Sequence, residues 1–181
     1  EIIFTSSGSE SNNLAIFGIA AACPELVEGA CPACPPKLQR RRRHSRREII
    51  STPIEHPSVL EPLNKLQERG WKITFLKVDS NGFVELNDLE KKLNPSVVLI
   101  SVMYANNEIG TIQPIKKISG IINIFKKQRA ESRKPKANQK FPIFHSDACQ
   151  ATEYLDMNVN NLGVDLLTFN GSKIYGPRGI A

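Results

Sequence analysis

Lys173 lies in a short polar segment that directly follows an apolar run. The run covers residues 166–169, and the segment NGSKIYGPRG begins at Asn170. A lysine amine that is desolvated among small polar residues becomes a nucleophile and can form a Schiff base with a carbonyl compound. A lysine in such a turn can also be an ordinary solvated side chain, so the segment alone leaves both interpretations open.

Two more polar positions follow apolar runs. Ser7, Gly8 and Ser9 precede a helical pattern, so they could hold a phosphate at a helix N-terminus, or Ser9 could simply cap that helix. Asp147 follows the run at residues 141–146. A carboxylate at the edge of a buried pocket needs a pyridinium nitrogen, a salt bridge or a helix cap. Lysine, acid and phosphate cup are together the parts of a pyridoxal phosphate site.

His56 is a further candidate, because it follows Glu55 and precedes Pro57 at the start of a helical pattern. Proline suits the first turn of a helix, so the imidazole would stand beside a helix N-terminus. Such a ring could stack on a bound ring or move protons. It could equally cap the helix or lie at the surface.

Strand-like runs that alternate with helical patterns position these residues. The strand-like runs cover residues 2–5, 49–51, 72–76, 97–103, 141–145 and 165–169, and the helical patterns cover about 11–22, 57–69, 86–93 and 115–127. This alternation predicts an α/β fold with a mostly parallel sheet flanked by helices. Ligands of such sheets bind beyond the carboxyl ends of the strands, where the candidate residues stand.

The composition is that of one globular domain, with 181 residues, 40% hydrophobic residues and a net charge of +6. No apolar run is long enough to span a bilayer and no signal-peptide pattern is present, so we predict a cytoplasmic protein without membrane contact. The four cysteines are then expected to be reduced. Both ends of the sequence look cut, so we expect a partial domain.

Two segments interrupt the alternation, at about residues 23–47 and 128–139. The first contains the CxxC pair Cys31 and Cys34 and an arginine run at residues 37–47. A zinc knuckle needs a second well-spaced pair of ligands. The arginine run could contact nucleic acid, or the segment could be a tolerated surface insertion. We predict the insertion, with no metal site, and we do not expect nucleic-acid binding.

Five motifs in this order resemble the cysteine desulfurases of the NifS/IscS type, which belong to the class V aminotransferases with pyridoxal phosphate fold type I. The motifs are FTSSGSESNNLAI (residues 4–16), IEHPSVLEPL (54–63), YANNEIGTIQPI (104–115), HSDACQ (145–150) and FNGSKIYGPRG (169–179). The NNEIG element is similar to the branch that supplies sulfur for iron–sulfur cluster assembly.

The resemblance implies a role for each matching residue. Lys173 would carry the cofactor covalently and act in catalysis, together with His56 stacked on the cofactor ring. Asp147 would pair with the pyridinium nitrogen, and Asn107 would help bind the substrate carboxylate and orient the cofactor. The other cofactor-binding residues that the resemblance implies are Gly8, Ser9, Gln150 at the phenolic oxygen, Asn170 and Ser172. Ser172 stands where the family commonly has histidine.

The resemblance also implies the reaction and the partners. L-cysteine would become L-alanine, with the sulfur left as a persulfide on an enzyme cysteine, in a homodimer that serves a sulfur-acceptor or scaffold protein. That cysteine and the small C-terminal domain would lie beyond Ala181, so residues 1–181 are expected to be a partial large domain in which Cys149 is only a packed neighbour. The alternatives are another class V enzyme, such as a transaminase or lyase, or a non-catalytic remnant with a basic nucleic-acid-binding loop.

Overall fold

The computed structural model describes residues 1–22, 48–131 and 141–181, and in these ranges the chain forms a parallel sheet of five strands. The strands are β1 Glu48–Ser51, β2 Lys72–Phe75, β3 Val97–Ser101, β4 Ile143–Asp147 and β5 Leu166–Thr168. Their order across the sheet is β2-β1-β3-β4-β5, and every neighbouring pair is parallel. The predicted α/β architecture is confirmed.

Helices occupy the connections between the strands. They are α1 Gly8–Ala22, α2 Pro57–Glu68, α3 Leu86–Lys92, α4 Ile115–Glu131 and α5 Val159–Leu162, and a 3₁₀ turn follows β5 at Gly171–Lys173. The helices α2 and α3 lie close to their predicted bounds. In contrast, α1 begins at Gly8 rather than near residue 11, and α4 continues to Glu131 rather than ending near residue 127.

Helix α5 was not predicted, because four residues form a single turn and show no periodicity. Local chemistry sets its ends instead. The Oδ1 of Asn158 accepts the backbone N–H groups of Asn160 and Asn161 at 3.0 and 3.2 Å. Gly163, with φ of 70°, adopts the left-handed conformation that ends the helix.

The core has two apolar layers, one on each face of the sheet. Ile49 of β1 belongs to the layer that contains Ile16 of α1 and Leu63 of α2. Ile50, the next residue of β1, belongs to the layer that contains Ile118 of α4. Successive residues of a strand point to opposite faces, so a run of consecutive apolar residues supplies both layers. This pattern is typical of a parallel sheet with helices on both faces.

His145 is fully buried and joins three strands just below their carboxyl ends. Its Nδ1 lies 2.9 Å from Oγ of Ser101 in β3, and its Nε2 lies 3.0 Å from Oγ1 of Thr168 in β5. Burial lowers the pKa of His145 to about 4, so the ring is neutral at physiological pH. The bonds of this neutral ring hold the ends of β3, β4 and β5 together two residues before Asp147.

The strand predicted at residues 2–5 is wrong. Ile2 and Phe4 are 77% and 78% exposed, and the segment lies outside the sheet. Thr5 instead exchanges two backbone hydrogen bonds with Ala181, with N···O distances of 2.9 and 3.0 Å. Apolar and β-branched composition favours a strand only where a neighbouring strand and a core receive it. Among the described residues, Ala181 pairs with Thr5 alone, and no strand lies beside residues 2–4.

The predicted insertions at about residues 23–47 and 128–139 lie largely outside the described residues. Residues 128–131 are described, and they continue α4. The Cys31–Cys34 pair and the arginine run, on which the zinc and nucleic-acid alternatives depend, fall outside the described ranges. Within those ranges, no helix is both long enough and apolar enough to cross a membrane.

Candidate active site

Asp147 ends β4, and its side chain is buried with 6% of its surface exposed. Its Oδ2 accepts a hydrogen bond from Nδ2 of Asn12 in α1 at 2.7 Å, and its Oδ1 accepts the backbone N–H of Cys149 at 2.9 Å. No cationic side chain of the described ranges forms a salt bridge with it. A buried carboxylate with only neutral donors is unfavourable unless a cation can approach, so the position suits a small cationic group.

The first turn of α1 is capped by Ser7 and not by Ser9, which corrects the predicted start of this helix. The Oγ of Ser7 accepts the backbone N–H of Glu10 at 3.2 Å. The Glu10 carboxylate accepts the N–H and the Oγ–H of Ser6 at 2.7 and 2.6 Å. These reciprocal bonds fix the turn. Ser9 is exposed and its hydroxyl bonds to no described residue. This hydroxyl and the backbone N–H groups of Gly8 and Ser9, which also have no partner among the described residues, stay open to an anion.

Gly8 packs where α1 meets the residues that follow β4 and β5. A Cβ atom at this position would lie 2.8 Å from Sγ of Cys149 and 3.4 Å from Cβ of Asn170. The first distance is shorter than a van der Waals contact, so only glycine fits without a shift of the sulfur. The N-terminus of α1 is therefore held directly against both strand ends.

We expect Gly8→Ala to lower the free energy of unfolding by about 1 kcal/mol, because the new methyl group must displace the Cys149 sulfur. In a Cys149→Ala background the same change is expected to be neutral or stabilising, since alanine favours a helix over glycine. Urea unfolding of the four proteins measures this coupling. Gly18→Ala is the matched control, because a Cβ there meets nothing within 4 Å. An equal loss in both backgrounds would contradict the packing.

Lys173 is the last residue of the 3₁₀ turn after β5. The Oδ1 of Asn170 accepts both the N–H and the Oγ–H of Ser172, at 3.0 and 2.9 Å. The backbone N–H of Gly171 donates to the carbonyl of Ile180 at 3.0 Å. The Lys173 side chain is exposed and has no ion pair within the described ranges. The turn thus satisfies its own polar groups and presents the amine.

Cys149 is a free thiol, and charged residues after β4 and β5 both act on it. Burial first, and then the charge of Asp147, raises the pKa of this thiol above its usual range, while the Lys173 ammonium acts in the opposite direction. Asp147 and Lys173 therefore both lie within electrostatic range of the same sulfur. Because the protonated thiol is a poor nucleophile, the pKa shift supports the prediction that Cys149 is a packed neighbour.

His56 is the N-cap of α2, so the capping alternative is confirmed. Its Nδ1 accepts the backbone N–H of Ser58 at 3.1 Å, and Oγ of Ser58 lies 2.8 Å from the same nitrogen. The Ser58 hydroxyl also accepts a hydrogen bond from Nδ2 of Asn12 at 2.9 Å. His56 is thereby connected to Asp147 through two side chains. Its ring is exposed, and stacking on a bound ring stays a prediction.

Asn12, which joins Asp147 to Ser58, was not among the predicted site residues. It lies inside a helix, whereas the prediction considered only residues at strand ends. A signal for it exists in the sequence, because Asn12 precedes Ile16 and Ala20 at intervals of four residues on the buried face of α1. A polar residue in such an apolar stripe must find a buried partner.

Glu55 was also missed as a member of the site, although it stands beside His56. It is 5% exposed, and its Oε1 accepts the Thr52 hydroxyl at 2.7 Å and the Met103 N–H at 2.8 Å. Its Oε2 is buried and has no partner in the described part of the chain. Burial, with a further contribution from the charge of Asp147, raises the pKa of Glu55 to about 8. Glu55 is therefore a neutral acid near pH 7 that ties the segment after β1 to the segment after β3.

Asn107 and Gln150 lie at the same edge of the sheet, and both are exposed without hydrogen bonds to described residues. The neighbouring Asn106 is buried instead: its Nδ2 donates to the carbonyl of Ile54 at 2.9 Å, and its Oδ1 accepts the N–H of Glu108 at 2.8 Å. Asn106 therefore fixes the conformation of the loop, and the side chain of Asn107 points to the solvent. The predicted site residues that contacts or hydrogen bonds bring into one network are Gly8, His56, Asp147, Asn170, Ser172 and Lys173.

Comparison with known proteins identifies relatives for nearly the whole chain. The chain is 42% identical over 180 residues to cysteine desulfurase IscS of Dictyoglomus turgidum, across 99% of this chain and 37% of the relative. It is 38% identical over 180 residues to the mitochondrial cysteine desulfurase of Saccharomyces cerevisiae, across 99% of this chain and 29% of that protein. The chain thus spans well under half the length of these relatives.

Solved structures agree with this likeness. The chain matches a NifS-like protein with a TM-score of 0.73 and 31% identity, over 98% of this chain and 40% of that one. It matches SspA in complex with cysteine with a TM-score of 0.72 and 31% identity, over 98% and 42% of the two chains. The predicted fold, that of the large domain of a fold type I enzyme, is confirmed. A family model described as aminotransferase class-V matches residues 1–181. The chain therefore belongs to the class V aminotransferase family.

Proposed function

We propose that the protein is a cysteine desulfurase that depends on pyridoxal phosphate, and that this chain supplies its cofactor-binding part. The observation that carries the proposal is the buried carboxylate of Asp147, which has no cationic partner among the described residues and lies in one network with the turn that presents Lys173. The relatives and structural neighbours named cysteine desulfurase support the same chemistry.

The residues fit pyridoxal phosphate at three points. Asp147 would hold the protonated ring nitrogen, because a buried carboxylate stabilises a cation in direct contact. The Lys173 amine would bind the aldehyde carbon covalently. The first turn of α1, with Gly8 and the open hydroxyl of Ser9, would hold the phosphate through N–H groups at a helix N-terminus. When bound, the cofactor supplies an electron sink for the negative charge that develops on the substrate.

The residues around these points would bind the substrate and move protons. Lys173 would move the proton at the carbon that bears the substrate's amino group, with His56 nearby. Asn107 would bind the substrate carboxylate, and Gln150 would donate a hydrogen bond to the phenolic oxygen of the cofactor. Asn170 and Ser172 would fix the turn that carries Lys173, as their mutual hydrogen bonds indicate.

The reaction we propose for the whole protein transfers one sulfur atom. The C–S bond of L-cysteine breaks, an S–S bond forms to a cysteine of the enzyme, and L-alanine leaves. We propose a homodimer, with a sulfur-acceptor or scaffold protein of iron–sulfur cluster assembly as partner, as the resemblance to desulfurases of the NifS/IscS type implies. Bacterial and mitochondrial relatives both match this chain, so a cytoplasmic location stays a prediction.

We expect pyridoxal phosphate followed by borohydride to label Lys173, because the nearby Asp147 carboxylate would hold the ring nitrogen and so bring the aldehyde to this amine. The experiment uses the protein as its gene encodes it, and peptide mass spectrometry locates the modified lysine. Labelling should be weaker in Asp147→Ala and absent in Lys173→Ala. Lys117→Ala, which removes an exposed lysine of α4, is the control and should leave labelling unchanged.

Two outcomes would contradict parts of this proposal. Label that is scattered over surface lysines, or that persists in Lys173→Ala, would refute the cofactor site. Specific label at Lys173 without conversion of L-cysteine to L-alanine would retain the cofactor and refute the desulfurase, leaving a transaminase or lyase of the same family.

A further inference from the structure

The Asn12 amide has a fixed orientation because of what its nitrogen faces. Its Nδ2 lies 2.7 Å from Oδ2 of Asp147 and 2.9 Å from Oγ of Ser58. A carboxylate only accepts hydrogen bonds, so the amide nitrogen and not the amide oxygen must point at Asp147. Both amide hydrogens are then used. The Oδ1 of Asn12 is left buried without a partner among the described residues, an unfavourable state that the two donated bonds must outweigh.

Ser58 joins the oriented Asn12 amide to the His56 ring by hydrogen bonds. The Ser58 N–H points at Nδ1 of His56 at 3.1 Å, so that nitrogen must be an unprotonated acceptor. The Ser58 oxygen accepts the hydrogen of Asn12 and lies 2.8 Å from the same Nδ1. Its own hydrogen therefore also points at Nδ1 and shares the single lone pair of that nitrogen with the Ser58 N–H in a three-centre hydrogen bond. All the hydrogen bonds run in one direction, from Asn12 through Ser58 to His56.

We propose that Asn12 and Ser58 are positioning residues that hold the His56 ring with its proton on Nε2. The proposal stands on the two donors that converge on Nδ1 and on the buried, unpaired oxygen of Asn12. Nε2 is the ring nitrogen that has no partner among the described residues, and the side chain is exposed. His56 therefore offers a bound molecule an N–H donor.

This arrangement separates the roles of two candidate proton carriers. A neutral imidazole with its proton on Nε2 can donate from that atom but cannot accept a proton there. The acceptor role at the substrate then falls to the Lys173 amine. This division of roles rests on the proposed function. The hydrogen bonds that run from Asn12 through Ser58 to His56, here called the hydrogen-bond relay, do not depend on that function. The same Asn12 amide also fixes Oδ2 of Asp147, so one helical residue sets the positions of both the acid and the imidazole.

The test is ¹⁵N NMR of the protein as its gene encodes it, at a pH where the His56 ring is neutral. We expect the chemical shift of an unprotonated nitrogen at Nδ1 and of a protonated nitrogen at Nε2. A scalar coupling across the N–H···N hydrogen bond from the Ser58 amide to Nδ1 should also be present. A protonated Nδ1, or the absence of this coupling, would overturn the proposal.

Variants test whether the relay holds the ring. Asn12→Ala and Ser58→Ala should each raise the population of the Nδ1-protonated ring roughly fivefold, which is the effect of losing one neutral hydrogen bond. Asn13→Ala is the matched control and should give the wild-type spectrum, because the Asn13 side chain donates to the carbonyl of Ser9 at 2.7 Å and bonds to no other described residue. If Asn12→Ala does not fold, Ser58→Ala decides, since alanine is favourable in a helix.

Wild-type spectra in both Asn12→Ala and Ser58→Ala would overturn the proposal, because the Ser58 backbone alone would then set the ring. Failure of the relay can be distinguished from failure of the proposed function. A wild-type ring spectrum without pyridoxal phosphate labelling of Lys173 would refute the cofactor and retain the relay. Specific labelling of Lys173 with a protonated Nδ1 would refute only the relay.

Discussion

Asp147→Asn is expected to lower the rate of cysteine desulfuration by at least about a hundredfold, the effect of losing one preorganised electrostatic contact to the reacting system. The carboxylate is the acid that ends β4 in the network that includes Lys173, and an amide cannot stabilise a cationic ring nitrogen in the same way. Single-turnover conversion of L-cysteine, at saturating pyridoxal phosphate, separates this effect from weaker cofactor binding.

The same substitution is expected to leave the cofactor-free protein as stable as the wild type, or more stable. It removes a buried charge whose hydrogen-bond donors are neutral, and such a charge is unfavourable in the native state. The new amide oxygen can accept the Cys149 N–H. Its nitrogen can donate to Oδ1 of Asn12, which has no partner in the wild type, once the Asn12 amide turns over. Urea unfolding without cofactor measures this effect.

Glu61→Gln, which neutralises an exposed acid of α2, is the control for both measurements and should change neither. Activity of Asp147→Asn within tenfold of the wild type would contradict the assignment of Asp147 to the ring nitrogen. A large loss of stability in the cofactor-free variant would show instead that the carboxylate is needed for the fold.

The sequence predicted the sheet well, because each buried strand carries its own signal. Consecutive apolar residues such as Ile49 and Ile50 face opposite layers of a core, and helical periodicity marks α2 and α4 between the strands. The prediction failed where contacts with other segments, or local caps, determine the secondary structure. Residues 2–4 have strand composition but no neighbouring strand in the described part of the chain, and α5 depends on the caps at Asn158 and Gly163.

The sequence predicted those residues of the candidate site that follow strands or belong to the matching motifs, and it did not predict the others. Asp147 and Lys173 follow strands, so the topology brings them to one edge of the sheet. Asn12 lies within a helix, and its importance appears only when its partners are known. The protonation of Glu55 likewise depends on its burial and on the charge of Asp147, neither of which a linear pattern contains.

Glu55→Gln is expected to flatten the pH dependence of stability. Burial raises the pKa of Glu55 from 4.5 to about 8, so between these values the native protein keeps a proton that the unfolded chain releases. Stability therefore falls as the pH rises, by up to about 1.4 kcal/mol per pH unit. The contribution is fully present below pH 4.5 and lost above about pH 8. Its total is on the order of 5 kcal/mol.

Glutamine keeps an acceptor for the Thr52 hydroxyl and the Met103 N–H but cannot ionise, so its stability relative to the wild type should increase steadily across this pH range. Urea unfolding at several pH values measures the difference. Glu90→Gln, at an exposed acid of α3, is the matched control and should run parallel to the wild type. The charge of Asp147 contributes to the raised pKa, so Asp147→Asn should narrow the pH range over which stability falls. Parallel curves for Glu55→Gln and the wild type would mean that Glu55 is solvated and ionised, contrary to its burial.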